Sequence, residues 1–244
     1  GDCTVIKTPH NKIAVIDTGE AENVIAKYLL DKGIKTVDYL IISHFDSDHC
    51  NSSKEVIEKL NVKQLVISKQ AKESKEFEDI ISMAKEKNIN IQVVKAGDVL
   101  KFDKYTSFKV LWPDTNLLQE SPLNNNSIVA RLEYKSFSML FTGDIEALAE
   151  KQIVARYKSE ELKSDILKVA HHGSKTSSTN EFINKIKPQI SIIGVGENNK
   201  FGHPNTQTLQ TLQSYGSKIY RTDTAGEITI KVNKKGKIRI ETHV

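Results

Sequence analysis

A chain of 244 residues, 38% of them hydrophobic and 27% charged, can bury one sizeable core or two halves packed as one unit. Its longest apolar runs, such as Tyr39–Ile42, have strand length, which excludes a membrane-spanning helix in these residues, and no signal peptide opens the chain. A net charge of +4 suits phosphate-bearing ligands but is too small to diagnose nucleic-acid binding, and a Lys-rich solvated surface explains it equally well.

The N-terminal third predicts strand, turn, strand, helix, strand. Gly1-Asp2-Cys3 runs straight into Thr4–Lys7, an abrupt opening that suggests a cut through a larger protein. A turn at Pro9–Lys12 leads to a second strand, Ile13–Ile16. Val24, Ile25, Tyr28 and Leu29 form the apolar stripe of an amphipathic helix over Ala21–Lys32, closed by Gly33. Val37–Ile42 is an apolar strand ending on Ser43-His44. Strands follow at Gln64–Ser68 and Ile91–Val94, around a charged helix at Lys75–Lys87. Four more are expected at Val99–Phe102, Ser107–Trp112, Ile128–Tyr134 and Phe137–Thr142, interrupted by an Asn- and Pro-rich loop over 113–126.

After Asp144 the pattern alternates: helix Ile145–Tyr157, strand Ile166–Ala170, helix Asn180–Ile186, strand Ile190–Val195, helix Thr206–Tyr215. A hairpin, Glu227–Val232 and Lys237–Thr242, turns at Asn233–Gly236 and closes the chain. Nothing rich in Pro, Gly or Ser divides the sequence, so one domain over residues 1–244 is expected. Mixed sheets interleaved with helices predict an α/β sandwich.

Five of the seven histidines fall in three short segments, each following an apolar strand. The segment His44–Ser52, HFDSDHCNS, offers His44, Asp46, Asp48 and His49, the nitrogen and oxygen donors that divalent metals prefer. Helix capping explains one Asp and one Ser there, but not two histidines as well. Read as extended chain, the segment points His44, Asp46 and Asp48 one way and His49 the other, so that one loop can serve two adjacent metals. Cys50 reads as a small buried residue after this motif, and Cys3 and Cys50 make no recognisable metal pair or disulfide framework. The segment FTGDIE delivers Asp144 past Gly143, where its two oxygens can bridge two cations. LKVAHHGSKTSS ends a strand on His171 and His172, and strand alternation lets one of them face the metal comfortably. KFGHPN places His203 after one more strand.

The H-x-D-x-D-H string, the Gly-Asp after a strand and the His-His-Gly-Ser string together resemble metallo-β-lactamase-fold hydrolases in order and spacing. With NNNS, FTGDIE, HHGSKTSS and GHP, the chain is most similar to the ComEC-type hydrolase domains of DNA-uptake proteins, over nearly its whole length. The resemblance implies a four-layer αββα sandwich binding two divalent ions, Zn or Mn. It assigns His44 and Asp46 to one metal, Asp48 and His49 to the other and Asp144 to the bridge, favours His172 as a further ligand, and leaves Asp17 as support behind the first loop. Asn126 lies where other members carry a ligand His, and Asn126, Ser174 and His203 become substrate contacts.

The implied chemistry is phosphodiester hydrolysis by a metal-bridging hydroxide that Asp48 orients, with His171 or His203 stabilising the departing oxygen. DNA is the expected substrate. A small or cell-surface phosphodiester, such as a phosphocholine ester, is the enzymatic alternative, and a nucleic-acid-binding module without catalysis is the other. No oligomer is expected. The resemblance makes the chain a soluble domain of a membrane-associated bacterial protein, and leaves open whether a membrane channel is attached in the full-length protein and which side of the membrane the domain faces. Where the family usually has glycines after the first string, this chain has Asn51-Ser52, which puts the loop geometry in question more than the metal site.

Overall fold

A computed structural model describes residues 1–243. In chain order the first half runs β1 (Cys3–Lys7), β2 (Ile13–Thr18), α1 (Val24–Asp31), β3 (Thr36–Val37), β4 (Tyr39–Ile41), α2 (Ser47–Cys50), α3 (Ser53–Lys59), β5 (Asn61–Val62), β6 (Gln64–Ser68), α4 (Lys75–Glu86) and β7 (Asn90–Val94). The second half runs β8 (Val99–Lys101), β9 (Thr106–Trp112), β10 (Val129–Tyr134), β11 (Phe137–Phe141), α5 (Ala147–Arg156), α6 (Ser159–Leu162), β12 (Ile166–Lys168), α7 (Asn180–Ile186), β13 (Ile190–Ile193), α8 (Thr206–Ser214), β14 (Lys218–Arg221), α9 (Thr222–Ala225), β15 (Glu227–Val232) and β16 (Ile238–His243).

Two sheets carry the fold, one of order β1-β2-β4-β6-β7 and one of order β14-β13-β12-β11-β10-β9-β8. Period-two alternation sends successive side chains of each strand into different layers. In β2, Ile13 and Val15 pack under α1, α3 and α4, while Ala14 and Ile16 enter the space between the sheets. In the second sheet, Val110, Ala130, Met139, Phe141 and Ile166 face the first, while Leu111, Val129, Leu140 and Leu167 pack under α5, α7 and α8. Three apolar layers between four layers of structure make this the expected αββα sandwich. The hairpin β15–β16 packs Ile228, Ile230, Ile238 and Ile240 against the central layer.

Several elements differ from the sequence expectation. The apolar run Val37–Ile42 is two short strands in two sheets, with Asp38 at the switch: its N–H donates to the Ile13 carbonyl at 2.8 Å and its carboxylate accepts from the Ile13 N–H at 3.0 Å. The strand expected over Ile166–Ala170 stops at Lys168, because His171 and His172 have φ of 50° and 53° and coil into a left-handed turn. Helix α3 and strand β14 carried too few periodic apolar residues to be recognised; β14 is an edge strand whose order comes from its parallel pairing with β13.

Candidate metal centre

Parallel strands β2 and β4 of the first sheet and β11, β12 and β13 of the second release the loops that build the site. Ligand sites gather beyond the carboxyl ends of parallel strands because backbone pairing ends there and side chains of several loops converge.

The first loop departs from the alternation expected of it. Asp46 is extended (ψ 144°) and its carbonyl accepts from the N–H groups of His49 and Cys50 at 2.9 and 3.1 Å, so the chain turns helical at Ser47. Asp48 and His49 are therefore neighbours on one helical turn, and both reach the same cluster instead of opposing each other. They meet at His172, whose Nε2 is 3.0 Å from Asp48 Oδ2 and 3.3 Å from His49 Nε2, and His49 Nε2 is also 3.2 Å from Asp144 Oδ1. His44 Nε2 pairs with Asp46 Oδ2 at 3.5 Å, and the His44 and His49 rings are 4.2 Å apart. Cys50 points away, wholly buried among the apolar residues under α1 and α3.

Three imidazoles have their tautomer set from behind. His49 Nδ1 donates to Asp17 Oδ2 at 2.9 Å, and His172 Nδ1 donates to the Gly194 carbonyl at 2.8 Å. Ser43 Oγ donates to Asp17 Oδ2 at 2.7 Å, so it is free to accept from His44 Nδ1 at 3.1 Å. A proton held on Nδ1 leaves the Nε2 lone pair aimed forward, which is how protein imidazoles are oriented toward metals. Asp17, itself in the left-handed region (φ 56°), also accepts from the Ser43 N–H at 2.7 Å and thereby ties β2 to the first loop.

Asp144 lies between the imidazoles of two loops, its Oδ2 3.4 Å from His172 Nε2 and 4.0 Å from His171 Nε2. Gly143 makes this possible: its φ is +50°, and a Cβ there would lie 2.6 Å from that of Ser127. Because residues 170–173 form a turn and not a strand end, both His171 and His172 border the site. His172 is the buried one; His171 is partly exposed, with Nδ1 3.7 Å from Glu146 Oε1.

The electrostatics favour positive charge at the centre. Burial works against a charged imidazole, yet Asp144 and Asp17 outweigh it and hold His49 well above its usual range; Asp2, Asp144 and Asp48 push His172 up to about 12. Burial likewise works against a carboxylate, but His49, His172 and His44 hold Asp144 well below its ordinary value. His44 Nε2 and Asp144 Oδ1 are buried without a hydrogen-bond partner. Buried lone pairs on nitrogen and oxygen converging within a few ångströms, left unsatisfied by protein, fit a bound cation.

Two of the expected substrate contacts lie inside the protein. Asn126 is buried and its amide is spent on its own loop: Oδ1 accepts from the Leu118 N–H at 2.9 Å, and Nδ2 donates to the carbonyls of Leu118 and Pro122. Ser174 is buried beneath the turn, its Oγ 3.0 Å from Thr176 Oγ1. Each braces the site; neither is presented to solvent. His203 does reach the mouth, its ring 5.8 Å from His171 and 6.5 Å from His172. Burial and the two neighbouring histidines hold it below the usual imidazole range.

One pair escaped the sequence reading. Asp2 is buried with His49, Asp144 and His172, one donor atom of each lying within 4.8 Å of the others. Its carboxylate is already held by Lys168 Nζ, and its Oδ1 lies 3.6 Å from His172 Nδ1, on the ring's rear side. Asp2 thus supports His172 from behind, and Gly194 leaves it room, since a Cβ there would lie 2.0 Å from Asp2 Oδ1. A Lys inside the apolar run Ile166–Ala170 was the available signal, because a cation in such a strand needs a buried partner.

Comparison with known proteins agrees with this fold. The profile of the metallo-beta-lactamase superfamily matches residues 1–197. ComE operon protein 3 of Bacillus subtilis (strain 168) is 34% identical over 254 residues, covering 96% of this chain and 32% of that protein. Competence protein ComA of Neisseria gonorrhoeae is 24% identical, covering 96% and 31%. The chain therefore spans about a third of the length of these relatives. Among solved structures, Igni18, a metallo hydrolase from Ignicoccus hospitalis KIN4/I, superposes with a TM-score of 0.60 at 14% identity, covering 99% of this chain and 95% of that one.

Proposed function

This chain belongs to the metallo-β-lactamase superfamily, and on that premise we propose that it is a two-metal phosphodiesterase that cleaves DNA during uptake. The observation that carries the reading is the convergence of His44, His49 and His172 Nε2 with Asp48 and Asp144, two of whose buried atoms, His44 Nε2 and Asp144 Oδ1, make no hydrogen bond. His44 with Asp46, and His49 with Asp48 and His172, would hold two divalent ions, Zn or Mn, with Asp144 between them. Such ions acidify a water and polarise phosphoryl oxygens. The competence relatives favour DNA over a small phosphodiester, and their greater length accommodates a membrane channel to which this domain is attached. Among the described residues no helix is long and apolar enough to cross a membrane.

The residues divide the remaining work. Asp48 is more open than Asp144, its side chain 33% exposed against 4%, and can take the attacking water's proton and orient it. His171 and His203 flank the mouth and donate hydrogen bonds to the departing oxygen; His203, neutral near pH 7, keeps one N–H for that purpose. The intact donor set argues against a module that only binds.

The test is metal-dependent cleavage of single- and double-stranded DNA by apo-protein reloaded with Mn or Zn. Cleavage should require metal and fall by at least about 100-fold in Asp48→Ala. Folded, metal-loaded protein that cuts bis(p-nitrophenyl) phosphate but no DNA would replace the nuclease with a small-substrate phosphodiesterase.

A further inference from the structure

The loop that carries His203 also presents Phe201, whose ring has no part in the chemistry above. Phe201 is 81% exposed, more than any other large apolar side chain among the described residues. Leaving such a ring in water forgoes the free energy of burying it. The backbone that carries it is nevertheless held in place. Asn199 uses both ends of its amide on this loop: Oδ1 accepts from the N–H groups of Phe201 and His203 at 3.2 and 3.0 Å, and Nδ2 donates to the carbonyls of Gly196 and His203. Thr222 Oγ1 accepts from Val195 N–H at 2.7 Å at one end of the loop, and Asn205 N–H donates to the Gly173 carbonyl at 2.8 Å at the other. The Phe201 ring lies 5.9 Å from the His203 ring at 20°, so one face is turned to an imidazole at the mouth of the site and much of the ring remains open to solvent.

An open, clamped aromatic face beside a phosphodiester-cleaving centre suits a planar partner. Its neighbours on the loop are polar: Glu197 and Lys200 are exposed, and Asn198 and Asn199 lie between them. Docking on lipid or protein would call for a contiguous apolar patch of several hundred Å2, and one ring among Lys, Glu and Asn does not supply it. We propose that Phe201 is a stacking platform for the nucleobase beside the scissile phosphate, which makes single-stranded nucleic acid the substrate class of this site. The proposal rests on the phosphodiesterase reading. Aromatic stacking serves single strands because every base has a π-face and an unpaired base is free to leave its neighbours.

Rates of cleavage of a single-stranded oligonucleotide, and of an all-abasic strand of the same length, distinguish this from a structural role. Phe201→Ala should lower kcat/KM on the base-bearing strand by about 5- to 150-fold, leave the abasic strand nearly untouched, and be rescued by Phe201→Trp. An equal loss on both strands, or no loss on either, overturns the platform. If the wild type cuts neither strand, cleavage of a duplex decides the nuclease reading separately, and fluorescence anisotropy with the same two single strands decides the platform. Base-dependent affinity that Phe201→Ala removes sustains it, and affinity indifferent to the base or to Phe201 overturns it.

Discussion

Lys168 and Asp2 show how much of this site is held from behind. Both are buried, they are 166 positions apart, and Asp2 touches the rear of His172. Burial opposes the Asp2 charge, but Lys168 and His172 keep the carboxyl well below its usual range. Removing one member of such a pair strands the other charge in the interior. In metal-free protein, Lys168→Met should therefore cost about 3–5 kcal/mol by urea unfolding. Adding Asp2→Asn should recover a large part of that loss, and single variants within about 0.5 kcal/mol of wild type would remove the pair from the account. Gly143 makes a second prediction at this scale. A methyl group there meets Ser127 and must adopt φ +50°, so Gly143→Ala should displace Asp144 and weaken metal binding about 10-fold or more by titration calorimetry. Unchanged affinity would mean the loop accommodates the methyl.

Helix α5 braces the second half of the site through one residue. Glu150 is fully buried and its two oxygens accept from the backbone N–H groups of Ser178 and Thr179, where the His171–Ser178 loop enters α7. Burial pushes its carboxyl up to about 6 from an ordinary 4.5, despite those two donors. The folded state therefore prefers the protonated acid. That preference is fully present below pH 4.5, is lost as pH rises to about 6, and amounts to about 2 kcal/mol. Stability of wild type relative to Glu150→Gln should fall by that amount between pH 4 and pH 7, measured as urea unfolding free energies; a constant difference would show that the Glu150 carboxyl titrates alike in the folded and unfolded chain. At the element scale the sequence was legible wherever periodicity was strong: Gln64–Ser68 and Asn180–Ile186 have the boundaries expected of them. It was illegible at β14, where the parallel partner β13 supplies the order, and at residues 170–173, where two non-glycine residues take left-handed backbone that pattern alone does not announce.

The whole molecule is two β-sheets whose loops meet at one edge, and the charge left unbalanced there should couple folding to metal. A ligand that binds only the native state stabilises it by about 2.7 kcal/mol at a free concentration of 100 times Kd. For a chain of 244 residues this raises Tm by roughly 5–10 °C on adding Zn or Mn to chelator-treated protein. Asp144→Asn should abolish most of that shift; a Tm indifferent to metal in the wild type would contradict a preformed centre. Sequence by itself determined which chemistry the chain can offer, because histidines and aspartates at strand exits have few structural uses, and it determined the layered α/β fold, because hydrophobic period is local. Tertiary structure decided how those groups face one another. It turned Asp48 and His49 toward one cluster, set three histidines on Nδ1, spent Asn126 and Ser174 on bracing, brought Asp2 behind His172 and left Phe201 bare at the mouth. Such facts depend on distances between residues far apart in the chain, and only the packed sheets fix those distances.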